Sequence, residues 1–214
     1  MPTEKFFNLK EGKRQAILEA AGEELMETPY ALLTVSRIIQ RAGISRASFY
    51  YYFSDKEDLF VHLVEEMKNR FIQDLQEALR ECGGNFAKGF KRMVSMALEN
   101  EGFQKNCSLY QKMAEDADCH SQTARSQAAF YEEKRLKEFA AACGGLLDQE
   151  AYPGLDDEKN ASLLELGVLV VVKTIFLKFV GGEDPEYLKE IAFCQLEMLE
   201  RGARNLSVKE GGAS

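Results

Sequence analysis

The run of residues from Thr34 to Phe53, TVSRIIQRAGISRASFYYYF, allows this chain few local conformations. Its first half places apolar residues at the i, i+3, i+4 and i+7 spacing of a single helix face, which has to be buried. These residues are Val35, Ile38, Ile39 and Ala42. Thr34 stands where its hydroxyl can accept from a first-turn amide, and Gly43 stands where a left-handed backbone ends a helix without steric cost. The pattern predicts a short, capped helix followed by a glycine turn.

A second short helix is predicted directly after this turn. Ser45 can cap its start, and Ile44 can cover the corner between the two helices. Phe49, Tyr52 and Phe53 follow at the i, i+3 and i+4 positions of an apolar face, so we expect the two phenylalanines to lie in the core. Two short helices joined by a turn that contains glycine form the unit whose second helix enters a DNA major groove. The run therefore predicts a helix-turn-helix.

The same run is locally basic. It contains Arg37, Arg41 and Arg46 and has no Asp or Glu, whereas the whole chain carries a formal net charge of -8. Cationic side chains that neutralise phosphates release counterions, and this supplies most of the non-specific affinity for DNA. The charge pattern therefore favours phosphate contact by this segment. The alternative is a helix pair in an ordinary bundle, because apolar stripes occur in nearly every surface helix.

Four motifs follow one another between Lys13 and Phe60. They are an Ile-x-x-Ala-Ala helix with Ile17, Ala20 and Ala21, the helix from Thr34 to Gly43, the string GISRASFYYYF and the string SDKEDLF. Together they resemble the TetR family of transcriptional regulators, in its TetR/AcrR-like form. The resemblance implies an all-α fold, in which an N-terminal three-helix DNA-binding domain with a helix-turn-helix precedes a larger helical domain for ligand binding and dimerisation.

The sequence departs from the family pattern at two places. Pro29 stands where a glycine is expected between the first two helices, which leaves the shape of that corner open. Ala47 and Ser48 replace a Gly-Thr pair in the recognition helix, and Tyr52 stands at a position often held by histidine. Because these replacements roughly keep size and hydrogen-bonding class, they favour a changed operator sequence over lost DNA binding.

The resemblance implies two phosphate contacts at helix ends. Thr34 is expected to bind a phosphate through its hydroxyl and amide, and Lys56 is expected to bind one beside the amino end of the helix that follows the recognition helix. Ser54 and Glu57 have the spacing of a capping box, which predicts where that helix begins.

The recognition helix is implied to carry the remaining DNA contacts. Arg46, Ala47 and Ser48 are expected to face base edges. Arg46 can make a bidentate contact to guanine, and Ala47 can touch a thymine methyl group. The flanking DNA backbone is expected to be bound by Tyr50, Tyr51 and Tyr52, although one of these rings can instead close the core.

Helical periodicity continues through the rest of the chain, with glycine pairs and prolines as breaks. Helices are predicted at 55–81, 86–100, 103–117, 121–143, 156–180 and 185–203. The predicted domains are a DNA-binding domain at 1–58, an effector-binding and dimerisation domain at 59–205, and a disordered tail at 206–214.

The last two predicted helices are implied to form a homodimer interface. The first of them is apolar on several faces, so it needs more than one neighbour. The residues expected at the interface are Leu169, Val172, Phe176, Leu188, Ile191, Gln195, Met198 and Leu199. A core formed within one chain is the alternative.

The resemblance also implies a pocket for a small-molecule effector, which we expect to be apolar or amphipathic. Its predicted lining is Met93, Met96, Phe103, Tyr110, Met113, Phe130 and Tyr131. Each of these side chains can alternatively be ordinary core.

Other functional classes have little support in the sequence. There is no catalytic motif, so we expect no enzyme activity and no cofactor, and the neighbouring Cys119 and His120 lack further ligands for a metal site. Five unpatterned cysteines and the absence of a long apolar segment predict a soluble, cytoplasmic protein outside the membrane. The predicted function is a dimeric regulator, most often a repressor, that binds a double-stranded DNA operator. The alternative is a TetR-like helical dimer that acts through a protein partner without sequence-specific DNA binding.

Overall fold

The computed structural model describes residues 2–115, 139, 142–179 and 181–209. The secondary structure elements among these residues are all helices, and no strand occurs among them, which confirms the predicted all-α class. The helices are α1 (Glu4–Phe7), α2 (Glu11–Glu27), α3 (Val35–Ala42), α4 (Arg46–Tyr52), α5 (Lys56–Glu81), α6 (Phe86–Glu99), α7 (Glu101–Glu115), α8 (Asp157–Phe179) and α9 (Pro185–Lys209), with a 3-10 turn at Tyr30–Leu32.

Most helix boundaries predicted from periodicity lie within two residues of those observed for α5 to α8. The predicted helix at 121–143 lies mostly outside the described residues. Helix α9 continues to Lys209, past residue 206 where the sequence predicts that the tail begins. The short helix α1 is absent from the sequence-based prediction.

The chain divides into two compact units. The first unit contains Met1–Asn69 and Ser108–Ala129, and the second contains Arg70–Cys107 and Phe130–Ser214. Helices α5 and α7 therefore each contribute residues to both units. The domain boundary predicted after residue 58 falls in the first turn of α5.

The first unit has its own apolar core, to which each of its described helices contributes. Helix α2 buries the predicted Ile-x-x-Ala-Ala face, and α7 adds Leu109 to the same core. Leu109 packs against Gly22, where an added Cβ would lie 2.9 Å from the leucine side chain. The fully buried residues include Phe6, Ile17, Ala21, Leu25, Ile38, Phe49, Phe53 and Leu59.

His62 of α5 is buried beside α1. Only 5% of its surface is exposed, and its ring meets those of Phe6 and Phe7 edge-on, with centroids 5.3 and 5.5 Å away. Burial lowers the pKa of His62, although the nearby Glu66, Glu65 and Asp58 act to raise it and Arg14 acts to lower it further. The neutral imidazole is therefore the form that fits the folded state.

Acidification is expected to destabilise the first unit through this histidine. The pKa of His62 in the folded protein lies below its unfolded value of 6.5, so protonation favours unfolding. Its contribution to the free energy of unfolding is complete above pH 6.5 and declines as the pH falls towards the folded pKa. We expect urea unfolding between pH 7.5 and about 5.5 to lose less stability in His62→Phe than in the wild type. Equal losses in the two proteins would contradict this assignment.

The second unit packs α6 against α8 and α9. Helix α8 lies so close to α6 that a Cβ on Gly167 would fall 2.6 Å from the ring of Phe90. The buried Tyr152 joins the loop before α8 to both other helices, since its hydroxyl donates to Glu200 at 2.7 Å and accepts from the amide of Phe86 at 3.0 Å. Burial raises the pKa of Tyr152 to about 12, so this phenol stays protonated. The apolar contacts and this polar cluster together hold α6, α8 and α9 in one body.

Within the described part of the chain, no helix combines the length and apolar character needed to cross a membrane. The same residues contain no cluster of three or more His, Cys, Asp or Glu side chains that could hold a metal ion. Cys119 and His120 lie outside the described residues.

Candidate nucleic-acid interface

Helix α3 begins and ends as its sequence predicts. The hydroxyl of Thr34 accepts from the amide of Arg37 at 3.4 Å, which satisfies a first-turn donor. Gly43 adopts the left-handed conformation, with φ 63° and ψ 35°. The amide of Ile44 then donates to the carbonyl of Ile39 at 3.1 Å, and the Ile44 side chain packs against the core. The predicted cap, glycine turn and covered corner are confirmed.

Helix α4 has a buried face and an exposed face. The hydroxyl of Ser45 caps its start by accepting from the amide of Ser48 at 3.0 Å. Phe49 and Phe53 are fully buried, as predicted, and Tyr52 is 8% exposed. Of the three tyrosines, Tyr52 is thus the ring that closes the core. The exposed residues of α4 are Arg46, Ala47, Tyr50 and Tyr51, with Ser48 half-buried at the edge.

Arg46 is held over the exposed face of α4 by hydroxyl groups. Its guanidinium donates to the Ser36 hydroxyl at 3.3 Å and to the Tyr50 hydroxyl at 3.4 Å. The guanidinium carbon lies 5.6 Å from the centre of the Tyr50 ring. These partners are neutral, so the full positive charge of Arg46 remains available to an anion.

The other two arginines of the helix-turn-helix, Arg37 and Arg41, are paired with carboxylates of α2. Arg37 Nε donates to Glu24 at 2.7 Å, and Arg41 Nε donates to the other oxygen of Glu24 at 2.8 Å. Arg41 also binds Glu27 at 2.7 Å and Glu23 at 3.5 Å. The prediction that Arg37 and Arg41 supply a basic, phosphate-binding surface is therefore wrong. The run contains no acid, but α2 brings acids to it from 13 to 18 residues away.

Glu24 is the buried anchor of this ion-pair cluster, because 5% of its side chain is exposed. Glu24→Gln is expected to lower the free energy of unfolding by about 1–2 kcal/mol, since two charged hydrogen bonds to partly exposed arginines are weakened. Glu23→Gln is the matched control, because Glu23 is half exposed and its contact with Arg41 is the longest of the cluster. Urea unfolding of both variants checks this prediction. A Glu23→Gln effect as large as that of Glu24→Gln would contradict the special role of Glu24.

Lys56 connects the start of α5 to the corner that follows α2. Its ammonium donates to the carbonyls of Tyr30 at 2.8 Å and Leu33 at 3.1 Å, and it lies 4.3 Å from the centre of the Tyr30 ring. Tyr30 begins the 3-10 turn after Pro29 and Leu33 directly follows that turn, so both belong to the corner whose shape the sequence left open. Lys56 thus uses two of its three donors to hold this corner in place.

The start of α5 is capped one residue later than predicted. The carboxylate of Asp55 accepts from the amide of Asp58 at 2.7 Å. Asp58 in turn accepts from the amide of Ser54 at 3.1 Å and from its hydroxyl at 3.3 Å. The predicted Ser54 and Glu57 capping box is therefore wrong. Asp55 and Asp58 have the same spacing, and the burial of Asp58 selects their register.

The first residues of the chain contact the recognition helix, which the sequence analysis missed. The amide of Thr3 donates to the carbonyl of Tyr52 at 2.9 Å, and its hydroxyl donates to the carbonyl of Tyr51 at 2.8 Å. Lys5 Nζ lies 5.6 Å from the centre of the Tyr51 ring. The sequence signal that could have found this segment is the adjacent pair Phe6 and Phe7, because two large apolar residues among polar neighbours indicate that part of the segment is buried.

The residues predicted for the dimer interface occupy two environments in the second unit. Leu169, Val172, Phe176 and Met198 are exposed, and Ile191 and Gln195 are half-buried. Leu199 is half-buried and packs against the core, whereas Leu188 is a core residue with 3% exposure. Leu188 thus has no surface for a partner, because it faces the inside of its own unit. The exposed stripe also contains Leu166, which the prediction omitted.

Three residues predicted to line an effector pocket have described side chains. Met93 and Phe103 are buried in the core of the second unit, and Met96 is half-buried against it. The side chains of Tyr110 and Met113, and all of Phe130 and Tyr131, lie outside the described residues.

Comparison with known proteins agrees with this geometry. Residues 17–63 match the family model of bacterial regulatory proteins of the tetR family. Over 72 residues the chain is 35% identical to the fatty acid metabolism regulator protein of Bacillus subtilis, a match that covers 34% of this chain and 37% of that relative. The chain thus spans little more than a third of the length of this curated relative.

Two solved structures extend the likeness to most of the chain. A putative TetR-family transcriptional regulator from Syntrophomonas wolfei superposes with a TM-score of 0.65 at 20% identity, covering 89% of this chain and 95% of that one. The transcriptional regulator FadR from Bacillus subtilis, in complex with stearoyl-CoA, superposes with a TM-score of 0.57 at 19% identity, covering 88% and 98%. At these identities the superpositions establish a shared fold. The family match at residues 17–63, which surrounds the capped helix-turn-helix at residues 34–53, identifies this part of the chain as the helix-turn-helix region of the tetR family of bacterial regulatory proteins.

Proposed function

We propose that this protein is a homodimeric, ligand-responsive regulator that binds a palindromic operator and represses transcription until an effector releases it. The observation that carries the proposal is the division of α4 into two faces. Phe49 and Phe53 anchor one face in the core, while Arg46 and Tyr50 stand exposed on the other. A helix anchored in this way can enter a major groove without losing its support.

Base recognition is assigned to the first turn of α4. Arg46 carries an uncompensated guanidinium, which can make two hydrogen bonds to the O6 and N7 atoms of guanine. The methyl group of Ala47 can contact a thymine methyl group, and the hydroxyl of Ser48 can donate to or accept from a base edge. Ser48 already contacts the Ser45 hydroxyl at 2.9 Å, so its orientation is prepared before DNA binds.

Phosphate binding is assigned to groups around this helix. Tyr50 and Tyr51 have exposed rings, and the hydroxyl of Thr34 lies at the exposed start of α3. Lys56 retains one ammonium donor for a phosphate, but most of its role is to hold the corner before α3. Tyr52 is left out of the proposed contacts because its ring is in the core.

Dimerisation is assigned to the exposed apolar stripe of α8 and its neighbour on α9. The stripe on α8 recurs every three or four residues, which places its side chains on one helix face. It consists of Leu166, Leu169, Val172 and Phe176, and Met198 of α9 is exposed as well. A second copy of the chain fits this surface, because a two-fold interface pairs an apolar patch with itself. The resulting dimer can place two recognition helices about 34–36 Å apart, one turn of DNA.

The effector is assigned to the second unit. Its interior is largely apolar, with Met93, Phe103 and the half-buried Met96 in or against the core. An apolar or amphipathic molecule suits such a lining. The regulator FadR of Bacillus subtilis was crystallised with stearoyl-CoA, an amphipathic molecule, so a long-chain acyl-CoA is a rational first probe.

Release from DNA requires that the effector bind one arrangement of the protein more tightly than the other. Helices α5 and α7 each contribute residues to both units, so we assign the transmission of effector binding to these two helices. Within the first unit, Leu109 of α7 packs in the core and Lys56 of α5 holds the corner that follows α2. The spacing of the two recognition helices would change as a result.

Selection of bound sequences from a randomised DNA pool at near-physiological salt tests this function. A palindromic winner bound by two protein chains is expected, and stearoyl-CoA should lower its affinity if the effector is of that class. Binding without sequence preference by protein free of copurified ligand would reject the operator proposal and favour action through a protein partner. A palindromic winner that stearoyl-CoA leaves unaffected would reject only the acyl-CoA class.

A further inference from the structure

We propose that the N-terminal arm, Pro2–Asn8, is part of the DNA-binding surface and that Lys5 and Tyr51 together bind one phosphate beside the recognition helix. This inference deepens the proposed operator binding and rests on it. It adds a contact that lies outside the helix-turn-helix, on a segment that the sequence analysis left without a role.

The arm is attached to the carboxyl end of α4. Tyr51 and Tyr52 are the last two residues of that helix, so their carbonyls have no partner within it. Thr3 supplies both partners, with its hydroxyl at 2.8 Å from the Tyr51 carbonyl and its amide at 2.9 Å from that of Tyr52. The arm thereby caps the recognition helix, and α4 cannot move far without carrying the arm with it.

Phe6 anchors the arm in the core of the first unit. Its side chain is fully buried, and its ring centroid lies 4.7 Å from that of Phe53 and 6.2 Å from that of Tyr52. Because Phe6 points into the core, the neighbouring Lys5 is exposed at the surface. Burial of one aromatic ring and two backbone hydrogen bonds make this segment an ordered element, whose side chains have defined positions relative to α4.

Lys5 then places a cation beside an exposed tyrosine. Its ammonium lies 5.6 Å from the centre of the Tyr51 ring, and this ring is exposed. Arg46 stands at the same 5.6 Å from the ring of Tyr50, the preceding residue. Successive residues of a helix point in directions about 100° apart. The recognition helix therefore carries one cation and tyrosine pair at its start and another on a different side near its end.

The charge of Lys5 is open to an anion, in contrast to those of Arg37 and Arg41. Across the residues that the structure describes, Lys5 forms no ion pair with a carboxylate, whereas Arg37 pairs with Glu24 and Arg41 pairs with Glu24 and Glu27. An ammonium has three donors and a phenol hydroxyl has one, and both bind phosphate oxygens readily. A base-specific role does not suit Lys5, because it lies on the flank of α4 and outside its first turn. A DNA phosphate is the ligand that this pair fits.

The test uses full-length wild type, Lys5→Gln, Lys5→Arg and Lys10→Gln with the selected operator and with unrelated DNA. Lys10 is the matched control, because it is an exposed lysine that lies outside the arm. Affinity is measured at several salt concentrations, since each lost phosphate contact lowers the slope of log affinity against log salt by about 0.9. A dimer has two arms, so Lys5→Gln is expected to lower the slope by about two and to weaken both DNAs similarly. Lys5→Arg and Lys10→Gln should keep the wild-type slope.

Thr3→Val tests the attachment separately, because it removes the hydrogen bond to Tyr51 and leaves the charge of Lys5 in place. We expect Thr3→Val to weaken DNA binding in the wild type and to have almost no further effect when Lys5 is already Gln. Thermal unfolding of each variant checks that the first unit remains folded. A Lys5→Gln salt slope equal to that of the wild type would overturn the arm proposal while operator binding stands. Wild-type protein that binds no DNA would overturn both proposals.

Discussion

Phe176→Glu is expected to turn the protein into a monomer and to weaken operator binding by at least about 100-fold, the gain that linking two binding sites typically provides. Phe176 is 56% exposed and lies at the end of the apolar stripe on α8. In a two-fold dimer the substitution occurs twice, and each carboxylate would lose water without gaining a cation. A monomer brings one recognition helix to the operator, so it loses the second half-site.

Sedimentation equilibrium and operator titration of the same samples measure the two effects. Gln73→Glu is the control, because it makes the same charge change at an exposed position of α5, away from the stripe. This control should remain dimeric and bind normally. A Phe176→Glu protein that is still a dimer would show that the stripe of α8 is not the interface. A monomer that binds the operator as tightly as the wild type would instead reject cooperation between half-sites.

Arg46→Ala is expected to cost about 1–3 kcal/mol for each half-site of the operator, with much smaller losses on unrelated DNA. The side chain is held over the exposed face of α4 by Ser36 and Tyr50, and no carboxylate partner competes for it among the described contacts. A bidentate contact to guanine would use both the charge and the planar fork of the guanidinium. Alanine removes the charge and the fork.

Arg46→Lys separates charge from geometry. Lysine keeps the charge but cannot reproduce the planar fork, so it should retain non-specific affinity and lose preference at one base pair of each half-site. Repeating the sequence selection with both variants shows the preference directly. Equal losses of Arg46→Ala on operator and unrelated DNA would mean that Arg46 binds a phosphate and reads no base.

Local features of the DNA-binding module were predictable because they depend on neighbouring residues. A cap such as Thr34 or Ser45 acts on an amide three residues away, and the left-handed turn needs only Gly43 itself. The buried face of α4 follows from the spacing of Phe49 and Phe53. Even here the predicted start of the α5 cap was wrong by one residue, because the pair Ser54 and Glu57 and the pair Asp55 and Asp58 have the same spacing.

Charge was the property that local sequence predicted worst. Arg37 and Arg41 lie in a run without acids, yet the packing of α2 on α3 places the buried carboxylate of Glu24 against both. Leu188 is a similar case, since periodicity assigns it to a helix face but does not say which neighbour covers that face. The partner of a side chain depends on elements that are distant in sequence.

The sequence by itself determined the helices that follow α1, the caps of α3 and α4, and the helix-turn-helix whose second helix exposes Arg46, since all of these follow from spacing within a few residues. Tertiary structure alone decided which cations remain available, how Lys56 shapes the corner after Pro29, and that Thr3 and Phe6 attach an arm to the recognition helix. The physical reason is that hydrogen bonds within a helix turn are local, whereas burial and charge pairing depend on which distant segments pack together.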